Sequence, residues 1–383
     1  MKLSLTEDQS MIESSATDWF QGLYDFRQRE SSLQRDGGSP DVWRGFAEMG
    51  WLGLPLPEAF GGLEMGPIEA GLLMRVFGRH LVVEPWHATV LQAARLLALA
   101  GTQAQQSRWL DGVVRGDLRL ALAHTEAGDR LPWTLRRTVA SRSTDGWTIT
   151  GEKRQVVAAV GAAMWIVSAQ AEHELRLFLV DPAASGVVVD AYNTLTGARA
   201  ADITFDGVAA TLLGAEDDIT SQTALYQVLA EGLVALGWEA TGAMQAALEQ
   251  TTSYTQQRRQ FGQSLAQFQV VQHRLAEMAV HCAEAQAVCE LASMRLTLAK
   301  ADFQDLAGLV KSKVGRAAQF VAQEAVQLHG AMGVCEELPI AATFRLLLAF
   351  TQYGGDYEDH AIQRGRKQLE SGLFKYSQTL VNG

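Results

Sequence analysis

The hydrophobic pattern of this chain changes period twice, and that limits its fold more than any single residue does. From Thr6 to about Arg115 apolar residues recur at helical spacing; between about Leu118 and Gly214 short apolar runs alternate with turn signals; from Ser221 onward the helical spacing returns. A segment patterned for a helix exposes its apolar residues if forced into a strand, whose side chains alternate between two faces, and the reverse holds as well. The order is therefore α, then β, then α. The expected fold class is α+β multidomain, with an N-terminal all-α domain over 1–117, a middle antiparallel β-barrel domain over 118–217 and a C-terminal up-and-down helix bundle over 218–383.

Local signals punctuate this plan. Thr6-Glu-Asp-Gln reads as a capping start, and Ser39-Pro40-Asp41 as an N-cap followed by proline at the first helical position. A loop runs over 53–62, and 68–100 reads as one or two long helices. In the middle region strands are expected over 137–141, 147–150, 163–169, 175–180, 186–189 and 201–205, with Asp145-Gly146 as a hairpin turn. Leu229, Leu233, Leu236, Ala240, Met244 and Leu248 trace one apolar face of a further long helix, followed by helices over 267–300, 303–328, 338–351 and 358–380.

Charge and cysteine content narrow the function. Against 43 Asp and Glu stand 32 Lys and Arg, a net charge of −11; a nucleic-acid binder needs a cationic excess, so that class is excluded. Three cysteines, Cys282, Cys289 and Cys335, make neither a disulfide framework nor a metal-ligand spacing. The polar start and the lack of an uncharged apolar run of membrane-spanning length point to a cytoplasmic protein without membrane insertion.

No P-loop, Rossmann glycine motif, nucleophile elbow, zincin or CxxC motif occurs. Three segments remain unusual. Arg258-Arg259-Gln260-Phe261-Gly262 follows the long helix; guanidinium groups grip diphosphates and a phenylalanine packs on a flat heterocycle, although an arginine pair there also suits a solvated helix C-terminus. Gln327-Leu-His329-Gly330-Ala331-Met-Gly333 offers an amide and close backbone approach, or simply a glycine-rich helix break. Gly354-Gly355-Asp356-Tyr357-Glu358-Asp359-His360 gathers carboxylates in no metal-ligand spacing, and an acidic first helical turn accounts for it.

Taken together and in this order, these segments resemble the acyl-CoA dehydrogenase family. Its R-x-x-F-G, F-Q-x-x-Q-x-x-L-A-x-M and Q-x-x-G-G-x-G motifs stand here as 258–262, 268–278 and 327–333, with Ala331 in place of the second glycine of the last. The resemblance implies the family's three-domain fold, FAD shared across a subunit interface in a dimer or tetramer, an acyl-CoA substrate, removal of an α-proton by a glutamate and transfer of a β-hydride to the flavin. It implies cofactor contacts from Arg258, Arg259, Phe261, Gln327, Gly330 and Ala331, and from Thr125 in the β region. Electron-transfer flavoprotein is the implied redox partner.

The family's base, by contrast, falls on Gly354, or in the isovaleryl branch on Gly232, and neither can take a proton. Glu231 is the neighbouring carboxylate and the candidate catalytic residue, though one residue along a helix rotates a side chain by about 100°. The tryptophan and threonine that flank the flavin ring in the family correspond to Gln155 and Val157. Such a chain resembles the small β subunit of the heteromeric α2β2 acyl-CoA dehydrogenases of pimeloyl and steroid side-chain substrates, paired with a homologous catalytic subunit. Two alternatives stand beside it: a self-associating homomeric dehydrogenase using Glu231 or a carboxylate of the 356–359 loop, and a non-enzymatic scaffold that has kept the fold.

Overall fold

The computed structural model describes residues 5–35, 38–134, 136–144, 146–216, 220–298 and 301–371. Asp145 of the expected hairpin turn, Lys300 and the 372–380 end of the last expected helix lie outside the described residues. The chain starts as its capping signal requires: Thr6 Oγ1 accepts from the Gln9 amide at 3.2 Å and Gln9 Oε1 from the Thr6 amide at 3.0 Å, opening α1 (Glu7–Leu23). Next come α2 (Phe26–Leu33), α3 (Pro40–Glu48) and α4 (Pro67–His80); then a π-helical turn (His87–Ala94) runs into α5 (Arg95–Ala100), with α6 (Gln103–Val114) closing the region. The stretch over 68–100 is thus broken in two, because Leu81 takes a left-handed conformation and ends α4. Phe20, Phe46, Trp51 and Phe77 pack ring against ring beneath these helices.

Seven strands form the middle layer: β1 (Leu120–Ala123), β2 (Val139–Ser143), β3 (Gly146–Val157), β4 (Met164–Ala171), β5 (Glu174–Val180), β6 (Val187–Asn193) and β7 (Arg199–Leu212). They share one sheet with the order β1-β4-β2-β3-β7-β5, β6 on β7, and a further pairing of β4 with β5. The expected antiparallel β domain is present between the helical ones, with most pairings antiparallel and two parallel pairings added at β4. β1 runs parallel to β4, Leu120 opposite Met164, and β2 meets β4 in parallel at Val139 and Gln170. Hairpins enforce antiparallel pairing only between consecutive strands, and β1 enters from a helix and pairs with a strand further along the chain. A bulge in β3 between Lys153 and Val156 leaves Gln155 at φ +52.

The C-terminal region is built on α7 (Ser221–Gln257), surrounded by α8 (Gln269–Leu296), α9 (Phe303–His329), α10 (Pro339–Gln352) and α11 (Tyr357–Glu370). The single apolar face expected for α7 is also corrected, since buried residues occur all around it, including Gly232, Gly237, Trp238 and Gly242. Its tightest neighbour is α4. A Cβ at Gly78 would stand 1.9 Å from the Glu239 carbonyl oxygen, and one at Gly242 1.9 Å from that of Arg75, so only glycine lets the two backbones touch. Among the described residues no helix is long and apolar enough to cross a membrane.

Candidate functional site

Two places gather the residues singled out by the motifs: the end of the bundle where α7 and α9 stop, and a cleft where the sheet meets α7 and the turn before α11. At the bundle end Arg258 is the C-cap of α7, exposed, and its side chain has no partner among the described residues. Beyond it β8 (Arg259–Gln260) pairs with β9 (Gln263–Ser264), and both turn residues, Phe261 and Gly262, have positive φ, 53° and 84°. Arg259 Nη2 donates to the Gly262 carbonyl at 3.4 Å, inside this turn. The hairpin holds Phe261 out into solvent, 90% exposed, with its ring edge-on to Phe268 at 6.3 Å.

The other half of this end comes from α9. Gln327 lies exposed on its last turn, and Gly330 ends it at φ +60 and ψ −138, a conformation essentially reserved for glycine, with open space around it. Ala331 is exposed one residue on, in the 3-10 turn Gly330–Val334. The two segments are brought together by Tyr254, one turn before Arg258, whose ring stacks on His329 at 4.5 Å. A cation without an internal partner, an exposed amide and an exposed aromatic face form a donor set that suits a diphosphate joined to a flat heterocycle.

The cleft is lined by Thr125, Gln155 and Val157 of the β region, Leu229 and Leu233 of α7, and Tyr353-Gly354 after α10. Its cavity volume is about 30 Å³, room for about two waters. Both positions expected from the resemblance to carry a base are packed shut: a Cβ on Gly354 would lie 2.5 Å from Leu233 Cδ2, and one on Gly232 3.0 Å from His87 Nε2. Glu231 does not line the cleft. It is 8% exposed, because the π-helical turn delivers Arg95 against it: Glu231 Oε2 accepts from Arg95 Nε at 3.3 Å and Oε1 from Gln227 Nε2 at 2.8 Å.

Two of the three carboxylates of the 356–359 loop are occupied as well, while Glu358 is exposed and its side chain accepts, among the described residues, only from the Tyr357 hydroxyl at 3.4 Å. Asp356 caps α11, accepting from the Glu358 amide at 2.7 Å and from Gln352 Nε2 at 2.7 Å, and Asp359 is gripped by both ends of the Arg130 guanidinium, with Nε at 3.1 Å. His360 is fully buried and donates from Nε2 to the Gly354 carbonyl at 2.9 Å; burial pushes its pKa down to about 4, so the ring is neutral.

Several polar groups around the cleft have no sequence signature. His124 bonds Ser168 Oγ at 2.8 Å and the Pro132 carbonyl at 2.7 Å, and burial, then Arg136 and Lys153, hold its pKa well below the usual range. Burial pushes Glu126 up, but Lys153 at 2.7 Å and the backbone amides of Arg137 and Thr138 together outweigh this and hold its pKa at about 2, so it is ionised. Lys311 donates to the carbonyls of Phe350 and Tyr353 at 2.5 and 2.6 Å, pinning the end of α10 beside Gly354. Such pairs join residues distant in sequence, so only the residues beside Thr125, His124 and Glu126, could have been suspected.

Helical domains on either side of a β domain, with the bundle end and the cleft placed as above, are the architecture of the acyl-CoA dehydrogenase fold. The chain belongs to the acyl-CoA dehydrogenase family. The family model described as "Acyl-CoA dehydrogenase, N-terminal domain" matches residues 6–117, and "Acyl-CoA dehydrogenase, C-terminal domain" matches 223–368. Acyl-CoA dehydrogenase FadE28 of Mycobacterium tuberculosis (strain ATCC 25618 / H37Rv) is 32% identical over 326 residues, covering 85% of this chain and 90% of that one. Among solved structures, a variant of the Tcur3481-Tcur3483 steroid ACAD is similar with a TM-score of 0.88 and 28% identity over 96% of this chain and 99% of that one. The ChsE4-ChsE5 complex from Mycobacterium tuberculosis has a TM-score of 0.86 at 22% identity, over 97% and 99%, a likeness of fold. The family's members are FAD-binding oxidoreductases acting on CH–CH groups of acyl-CoA.

Proposed function

We propose that this chain is the cofactor-clamping subunit of a heteromeric acyl-CoA dehydrogenase, holding the adenine and diphosphate half of an FAD whose catalytic base comes from a homologous partner. One contrast carries the reading. Arg258, Phe261 and Gln327 stand exposed and available, while Gly354 and Gly232 fill the two base positions and are closed off by Leu233 and His87. Arg258 and Arg259 would hold the diphosphate, Gln327 and the Gly330-Ala331 backbone the phosphate and adenine edge, and Phe261 the adenine face. Thr125 would contribute at the ring end, beside Gln155 and Val157. Bound FAD supplies the hydride acceptor for α,β-desaturation of the thioester.

The substrate class follows less directly. Likeness to a steroid ACAD at 28% identity supports an acyl group of steroid side-chain type, with a dicarboxylate thioester as the other candidate. Reoxidation falls to electron-transfer flavoprotein. Neither Glu231, Asp356 nor Asp359 favours a homomeric enzyme, since the first is held by Arg95, the second caps α11 and the third pairs with Arg130, and the exposed Glu358 does not line the cleft.

Visible absorption tests the reading. The chain expressed alone is expected to be colourless, and co-expressed with a homologous catalytic subunit it is expected to co-purify as a yellow complex. Arg258→Ala in that complex is expected to weaken FAD retention about tenfold, the scale of one charge-assisted hydrogen bond. A yellow chain that desaturates acyl-CoA alone would overturn the proposal.

A further inference from the structure

The segment Ala127–Thr134, between β1 and β2, reaches from the sheet to both α7 and α11. At its base Asp129 Oδ2 accepts from the Glu126 amide at 2.8 Å and from Arg136 Nη1 at 2.7 Å, an ion pair that is almost wholly buried. At its middle the Pro132 carbonyl meets His124 Nε2 at 2.7 Å, and Pro132 itself lines the cleft. At its far end Trp133 lies edge-on to Tyr226 of α7 at 5.7 Å, while Arg130 reaches across to Asp359 on α11.

The opposing turn is shaped to receive it. A Cβ on Gly355 would lie 2.5 Å from the Arg130 carbonyl oxygen, so the backbone of this segment and that of the Gly354-Gly355 turn touch directly. Leu229 and Leu233 form the floor beneath, and little more than the volume of two waters remains.

The geometry points to a strap: Ala127–Thr134 closes this chain's own cleft to an acyl group, fastened across the domain boundary by Arg130 and Asp359. Acyl-CoA is thereby directed to the partner's cleft. The inference rests on the proposed reading of the cleft as the acyl side of a site that lacks its base. The fastener is solvent-exposed on the arginine side, 78% against 17% for Asp359, so it is a weak latch. The anchor is Trp133, which packs against the apolar cores on both sides.

Thiol labelling reads the closure. In the 383-residue chain, Cys335→Ser removes the only cysteine that is not buried, and Leu229→Cys places a thiol on the cleft floor. Maleimide is expected to react slowly while the strap is intact. Arg130→Ala is expected to raise the rate about two- to fivefold, Asp359→Asn by the same factor, and both together no further than either alone. Trp133→Gly is expected to raise it about tenfold or more, with circular dichroism confirming that the variant folds. Fast labelling with the strap intact, or a rate that moves in none of the variants, overturns the inference.

The two failures are distinguishable. A chain that is colourless alone and yellow with its partner, yet labels fast, would refute the strap and keep the clamping role. A chain that is yellow and active alone would refute the clamping role and, because its own cleft would then admit an acyl group, the strap with it.

Discussion

At the scale of single residues, the positions that decide function divide by how local their chemistry is. Arg258, Phe261 and Gln327, the proposed cofactor contacts, could be picked out by resemblance to family motifs because each lies at a hairpin or helix end written in a few consecutive residues. The surroundings of Gly354 and Glu231 could not, since Leu233, His87 and Arg95 reach them only through tertiary packing and a π-helical turn that no periodicity announces. Replacing the missing base is accordingly not a matter of one substitution. Gly354→Glu is expected to confer no acyl-CoA desaturation on the chain expressed alone with added FAD and to destabilise it by about 1–3 kcal/mol, because it strains a φ of +67° and collides with Leu233; adding Leu233→Ala is expected to recover part of that stability.

His360 provides a test of the same corner by pH. Its folded-state pKa is about 4, against an ordinary 6.5, chiefly through burial, with the Gly354 carbonyl, Asp359 and Asp356 opposing. The unfolded chain therefore binds the extra proton first as pH falls. The resulting stability is fully present above about pH 6.5 and is lost between there and pH 4, by up to about 3 kcal/mol. Urea denaturation at a series of pH values is expected to show a shallower slope in His360→Gln than in the parent chain; an unchanged slope would mean that the ring is not held neutral.

At the scale of elements, the switch from helical to alternating periodicity revealed which segments are helices and which are strands, and it did so because burial on one face leaves its period in the sequence. It could not reveal that α7 is buried all round or that β1 pairs in parallel, since both depend on which neighbours arrive. Glycine positions record those arrivals. Gly242→Ala is expected to cost about 3 kcal/mol, because its Cβ would meet the Arg75 carbonyl oxygen, a backbone atom that cannot step aside. Gly365→Ala on α11, where nothing lies within 4 Å, is expected to stabilise by about 1 kcal/mol through helix propensity. Equal effects in chemical denaturation would contradict the close α4–α7 contact.

At the scale of the assembled protein, the proposed reading has the chain present one half of a flavin site outward and keep the other half shut. A homomer would need both halves from the same sequence; a pair of unlike subunits needs only one working cleft per flavin. Native mass spectrometry of the assembly purified after co-expression is the sharpest test of this division. Equal numbers of this chain and a homologous catalytic chain, with half as many FAD molecules as polypeptides, is the result expected. An assembly of this chain alone carrying one FAD per polypeptide would refute it.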